Sequence, residues 1–184
     1  LIDDNDISGV TLHSLRSQMG IMLQDSFIFS GTIMENLKYG RLDATDEEIV
    51  RAAKVARVDD FVSKLSDGYS TMLTEGGSNL SQGQRQLISI ARAVLADPKI
   101  LILDEATSSI DTRTEMHIQE AMVALMKGRT SLIIAHRLST IRDADKIVVI
   151  SGGKVVEAGD HDELLAQKGE YYKLYQSQFA GIAT

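Results

Sequence analysis

At 184 residues and 43% hydrophobic content the chain can bury a sizeable core as one domain, and a single Pro with 24% charged residues argues against long disordered segments. The formal net charge of −7 is spread along the chain without a basic block, which argues against an electrostatic footprint for nucleic acid, and the lack of Cys excludes disulfides and thiolate metal sites. No apolar run approaches the roughly 18 residues that a membrane-spanning helix needs.

The chain opens at Leu1, without Met, in a strand-like LIDDNDI, and reads as a piece of a longer polypeptide. An apolar strand over residues 20–23 leads to Gln24. The Thr45/Glu48 pair is a capping box that opens a helix over 45–65, carrying Ile49, Ala52, Ala53, Ala56, Phe61, Val62 and Leu65 at helical spacing until Gly68 ends it. After the Gly/Ser-rich GYSTMLTEGGS, the stretch NLSQGQRQLISIARA starts a second helix with Ser81 and Gln84 as a capping box. Its buried face is Leu87, Ile88, Ala91, Val94 and Leu95, and Asp97-Pro98 stops it. The capping box needs no ligand. Gly83 inside the first turn is different, because it costs roughly 1 kcal/mol relative to Ala and capping does not require it. An exposed helix start with a hydroxyl and no bulky side chain suits a phosphate.

From there strands and helices alternate: a strand at 100–103, a helix from Thr112 to about Lys127 ended by Gly128, a strand at 131–135, a short helix after Leu138 and a strand at 146–150. Continuous apolar strands separated by helices predict a parallel sheet covered on both faces. A hairpin turns on Gly152-Gly153, and Asp160 with Glu163 caps a C-terminal helix running through ELLAQKGEYYKLYQSQF. The organisation is a helical insert, about 44–96, attached to an α/β lobe of about 1–43 and 97–184.

Ligands of open parallel sheets collect beyond the carboxyl ends of the strands. Asp104 and Glu105 follow KILIL, and His136 follows SLIIA. Two carboxylates in an apolar setting need a cation, a partner or a base's role, although they can also cap the next helix, and His136 with Arg137 can be a solvated turn. Mg²⁺ takes oxygen ligands and keeps its waters, so Asp104 suits it, while Glu105 can orient or deprotonate a water attacking a phosphoryl group. Gln24 can accept from a water and reach a metal, or serve simple turn chemistry.

Together these residues resemble the nucleotide-binding domain of an ATP-binding cassette (ABC) transporter of the exporter type, over essentially the whole chain. The family's Leu-Ser-Gly-Gly-Gln signature is matched by Leu80-Ser81-Gln82-Gly83-Gln84, with Gln82 where the pattern has Gly. Residues 100–103 with Asp104 resemble its Walker B strand, followed by Glu105; Ser108-Ser109-Ile110-Asp111 resembles the D-loop, His136 the switch histidine and Gln24 the Q-loop residue. The stretches DSFIFSGTIMENLKYG and TEGGSNLSQGQRQ point to exporters. The resemblance implies a P-loop NTPase-like parallel sheet flanked by helices, with an α-helical signature subdomain. It also implies ATP and Mg²⁺ as ligands and a head-to-tail dimer, homo- or heterodimeric, in which the signature cap of Ser81, Gln82, Gly83 and Gln84 meets the γ-phosphate of ATP on the facing domain.

The carried-over roles are Glu105 for the attacking water, Asp104 for Mg²⁺, Gln24 as a catalytic residue that senses the metal and the water, His136 for the γ-phosphate, and Asp111 for the dimer interface. Residues 27–30 would meet a transmembrane domain fused upstream, at the cytoplasmic face of the membrane. No G-x-x-x-x-G-K-[ST] occurs in these 184 residues, so that loop is expected upstream and this piece is expected to bind ATP weakly, if at all. Two other readings compete. An ABC-type ATPase of DNA maintenance needs a long coiled coil, and the stretch from Gln24 to Ser81 has no heptads. A non-catalytic regulatory or interaction domain would explain the missing loop but not the retained Gln24, Ser81, Asp104, Glu105 and His136.

Overall fold

The computed structural model describes residues 1–23, 27–104, 110–135 and 141–180. They divide into two compact units, Leu1–Ile134 and Ala135–Thr184.

The first unit does not open on a strand. Asp3 and Asp4 take φ of 47° and 62°, and Ile2 and Asn5 on either side exchange backbone hydrogen bonds of 3.0 and 2.9 Å. Asp and Asn tolerate left-handed backbone, so the polar DDND run makes a tight turn instead. Helix α1 (Leu12–Ser17) leads into strand β1 (Met19–Met22), followed by β2 (Gly31–Thr32) and helix α2 (Ile33–Lys38). The helix expected over 45–65 is two: α3 (Asp46–Val55) and α4 (Asp59–Val62). The Thr45/Glu48 capping box starts α3. Arg57, at φ 61°, then ends it: Val58 N–H donates to Ala53 O at 2.8 Å and Arg57 N–H to Lys54 O at 3.1 Å. This is the six-to-one and five-to-two closure usually made by Gly. Val58 and Ala53, which accompany it, are fully buried.

Strand β3 (Met72–Leu73) pairs antiparallel with β2 and is followed by helix α5 (Gln82–Ala96), strand β4 (Ile100–Asp104), helix α6 (Thr112–Met126) and strand β5 (Thr130–Ile134). Asp97, left-handed at φ 49°, ends α5 just before Pro98. Strands β1, β4 and β5 form a parallel sheet in the order β1-β4-β5. On one face Met22, Leu101 and Leu103 enter the core formed with Leu87, Ile88 and Leu95 of α5 and Ile118, Ala121 and Leu125 of α6. The other face is open. Ile21, Leu132 and Ile134 are 61%, 63% and 53% exposed, so the expected burial on both faces is not found among the described residues.

In the second unit strand β6 (Ile147–Ser151) pairs antiparallel with β7 (Lys154–Gly159). Gly152 and Gly153 turn the hairpin at φ 56° and 74°. The C-terminal helix is also two: α7 (His161–Gln167), opened by the Asp160/Glu163 capping box, and α8 (Glu170–Ala180). Left-handed Lys168 makes the break, and the Glu157 carboxylate accepts from Glu170 and Tyr171 N–H at 2.5 and 3.0 Å, capping α8. The short helix expected after Leu138 begins outside the described residues. Ile147, Val149, Leu164 and Tyr171 form this unit's own small core.

Candidate functional site

The parallel register sets one edge of the sheet. Met22 lies opposite Leu103, and Asp104 opposite Ile134, so the carboxyl ends of all three strands come out together. Asp104, half-buried, is the last residue of β4. In the chain Gln24 follows Met22 by two residues, Glu105 follows Asp104, and His136 follows Ile134 by two. These three catalytic candidates lie outside the described residues.

A second group forms where α5 and α6 begin. Ser81 caps α5: its Oγ accepts from Gln84 N–H at 3.2 Å, and the Gln84 Oε1 accepts from Ser81 N–H at 2.9 Å. The capping box is therefore present, and Ser81 and Gln82 are exposed at its tip. Gly83 is buried. Its backbone faces the side chain of Thr114 in the first turn of α6, leaving no room for a Cβ. Asp111 caps α6 by accepting from Thr114 N–H at 3.0 Å. That backbone hydrogen bond, with a further bond from the Thr114 side chain, holds the Asp111 carboxyl below its ordinary value. Two helix starts thus stand side by side, and in each the cap side chain takes the N–H of the third helical residue, Gln84 or Thr114, leaving the N–H groups before Gln84 in α5 free of the cap. Beside them α4, α5 and α6 enclose an open cleft of about 490 Å³, lined among others by Ser81, Gln84, Arg57, Lys64, Arg113 and His117. Its lining carries Arg57, Lys64 and Arg113 against one carboxylate, Asp60. Arg57 Nε stands 3.2 Å from Asp60 and 3.4 Å from Glu120 of α6, aligned as a hydrogen bond with neither, so these contacts are Coulombic.

Sequence patterning alone missed a clamp behind the segment that follows Gln24. Asn36 is fully buried and donates to Phe29 O and Thr32 O at 2.9 and 3.0 Å, while its Oδ1 accepts from Phe29 N–H at 3.0 Å. Arg92, from the buried side of α5, donates to Asn36 O, Asn36 Oδ1 and Phe27 O at 2.7, 2.6 and 2.6 Å. Burial lowers the pKa of Arg92 but leaves a guanidinium charged. Outside the clamp, Phe29 stacks on Tyr39 with ring centres 4.2 Å apart and meets Phe27 edge-on at 4.8 Å. Phe27 and Tyr39 are more than half exposed. The available signal was an Arg inside the apolar run ISIARAVLA.

The family model described as ABC transporter matches residues 1–108, which include β1, the capped start of α5 and Asp104. The chain belongs to the ABC transporter family. Among ABC transporter relatives, the ATP-binding protein YfiC of Bacillus subtilis (strain 168) is 63% identical over 179 residues, 97% of this chain and 30% of that protein. The fatty acid ABC transporter ATP-binding/permease protein of Mycobacterium bovis (strain ATCC BAA-935 / AF2122/97) is 58% identical over 174 residues, covering 95% of this chain and 28% of that protein. The chain therefore spans less than a third of either relative. A bacterial Atm1-family ABC exporter solved with ATP bound superposes with a TM-score of 0.88 at 46% identity, over 97% of this chain and 31% of that one. The fold is accordingly that of an ABC ATPase domain: a P-loop NTPase-like α/β sheet flanked by helices, of the class that binds nucleotide.

For the divalent ion that would accompany nucleotide in an ABC ATPase, Asp104 offers a carboxylate at the strand edge. One carboxylate with waters is a sufficient donor set for Mg²⁺, so the residue fits. Among the described residues no three His, Cys, Asp or Glu side chains gather as a metal cage. No helix among them is long and apolar enough to cross a membrane.

Proposed function

We propose that this chain is the signature-bearing part of an ABC exporter's ATPase motor, which in the intact protein binds and hydrolyses ATP to drive export. The observation that carries the reading is the exposed, side-chain-capped start of α5, with Ser81 and Gln82 at its tip, joined to the Asp111-capped start of α6. Helix N-termini with exposed amides favour a phosphate, and the departure of a γ-phosphate weakens the attraction. Two such domains, from one gene or two, would close head to tail, each offering residues 81–84 to the nucleotide of the other, with Asp111 crossing the interface.

Within each domain we assign Asp104 and Gln24 to Mg²⁺, which when bound would neutralise phosphate charge. Glu105 would orient and deprotonate the attacking water, and His136 would contact the γ-phosphate. The lobes would divide at about 1–43 and 97–184 for catalysis and 44–96 for the signature subdomain. The open sheet face at Ile21, Leu132 and Ile134, with the relatives' much greater length, supports a phosphate-binding segment elsewhere in the intact protein. The exposed Phe27, Phe29 and Tyr39 would meet the transmembrane domain at the cytoplasmic side of the membrane. Nucleic acid has no part in this reading.

Glu105→Gln in the intact transporter tests it. The variant should retain ATP while its turnover falls by about a hundredfold or more, since the amide cannot take the proton from water. Undiminished hydrolysis would remove Glu105 from its assigned role.

A further inference from the structure

Two demands could require glycine at position 83: a ligand approaching the backbone, or another helix doing so. The direction in which a side chain would point separates them. Ser81 and Gln82 are exposed, whereas Gly83 is buried. A Cβ at Gly83 would not enter the exposed tip at all. It would overlap Cγ2 of Thr114, with Thr114 Cβ at 3.4 Å and Ile110 Cγ2 at 3.3 Å as the remaining neighbours. The obstruction is thus one methyl group on α6. That methyl is itself held in place, because the Asp111 carboxylate accepts from Thr114 N–H at 3.0 Å and from the Thr114 hydroxyl, which together fix the backbone and the side chain.

We infer that Thr114 is a positioning residue for the signature cap: its methyl fixes the first turn of α5 against α6, and this contact is what requires glycine at 83. The inference rests on the motor reading for its functional consequence. The nucleotide-facing groups at 81 and 82 and the interface residue Asp111 then move as one body, since a displacement of either helix start meets the other through Gly83 and Thr114. A closing force felt at Asp111 reaches Ser81 without an intervening flexible segment.

Steady-state ATP hydrolysis by the intact transporter tests this with a size-swap cycle. Gly83→Ala should lower turnover about tenfold by overpacking the helix pair. Thr114→Ser, which removes the methyl and keeps the hydroxyl, should cost about threefold alone through lost contact. Combined with Gly83→Ala it should bring turnover back to within about threefold of the native protein, a non-additive pair. Thr114→Val keeps a methyl at that place, so Gly83→Ala with Thr114→Val should stay at the level of Gly83→Ala or below. Should Gly83→Ala reduce the amount of assembled transporter instead, Thr114→Ser should restore that amount and Thr114→Val should not. A Gly83→Ala/Thr114→Ser protein no better than Gly83→Ala in both turnover and yield overturns the inference, as does a Gly83→Ala protein of native activity. A native transporter that hydrolyses no ATP defeats the motor reading alone, because the yield comparison still reports on the helix contact.

Discussion

Asp111 shows how one side chain serves both a helix and a surface. Its carboxylate accepts from Thr114 N–H, and that bond, which favours the ionised form, keeps its pKa below the ordinary 3.8. The cap is therefore fully formed above the ordinary carboxylate range and is lost as pH falls through the lowered value. An NMR titration of the Thr114 amide should show its transition below pH 3.8, and Asp111→Asn should remove that transition. Ser81 has the same economy, with one hydroxyl oxygen satisfying an amide while the residue stays exposed at the tip. The residue types needed for such caps are few, which is why both could be picked out from the sequence. What shapes Gly83 could not, because Thr114 is its neighbour in space and the chain gives no local mark of that contact.

Among elements, α5 organises the unit: its first turn meets α6, while Arg92 further along holds the segment at Phe27 and Phe29 and the start of α2 through Asn36. Asn36→Ala should destabilise the protein by about 3 kcal/mol, since it leaves Phe29 N–H and O without their partner and one arm of a half-buried guanidinium unpaired. A shift in the midpoint of urea unfolding at constant slope measures it. The capping boxes at Thr45, Ser81 and Asp160 were legible because each is a local pattern with partners three residues apart. The breaks at Arg57 and Lys168 were not, because both are left-handed residues other than glycine, and their long side chains suit an unbroken helix. Arg57 also reaches Asp60 and Glu120, a tertiary reason for its conformation that no periodicity reveals. The candidate site was legible as strand ends plus one capped helix, whereas the clamp of Arg92 and Asn36 depends on contacts far apart in sequence.

At the scale of the molecule, apolar strands suggested a sheet buried on both sides, and only one side joins the core. Residues such as Ile21 and Leu132 carry the hydrophobicity of a buried strand while remaining exposed, which fits a chain spanning less than a third of its relatives. Such a patch promotes association, so Leu132→Lys should reduce self-association of the isolated chain in sedimentation velocity, with far-ultraviolet circular dichroism unchanged. If self-association is unaltered, this face is not its cause. The register of β1, β4 and β5 has a last consequence: it works as a ruler. The strands end within one residue of a common line, because Met22 pairs with Leu103 and Asp104 with Ile134. One amino acid inserted between Ile100 and Leu101 would turn Leu101 and Leu103 outward and carry Asp104 past that line. Changes of length there are therefore costlier than conservative changes of side chain, and the spacing of this stretch is under a stricter constraint than its composition.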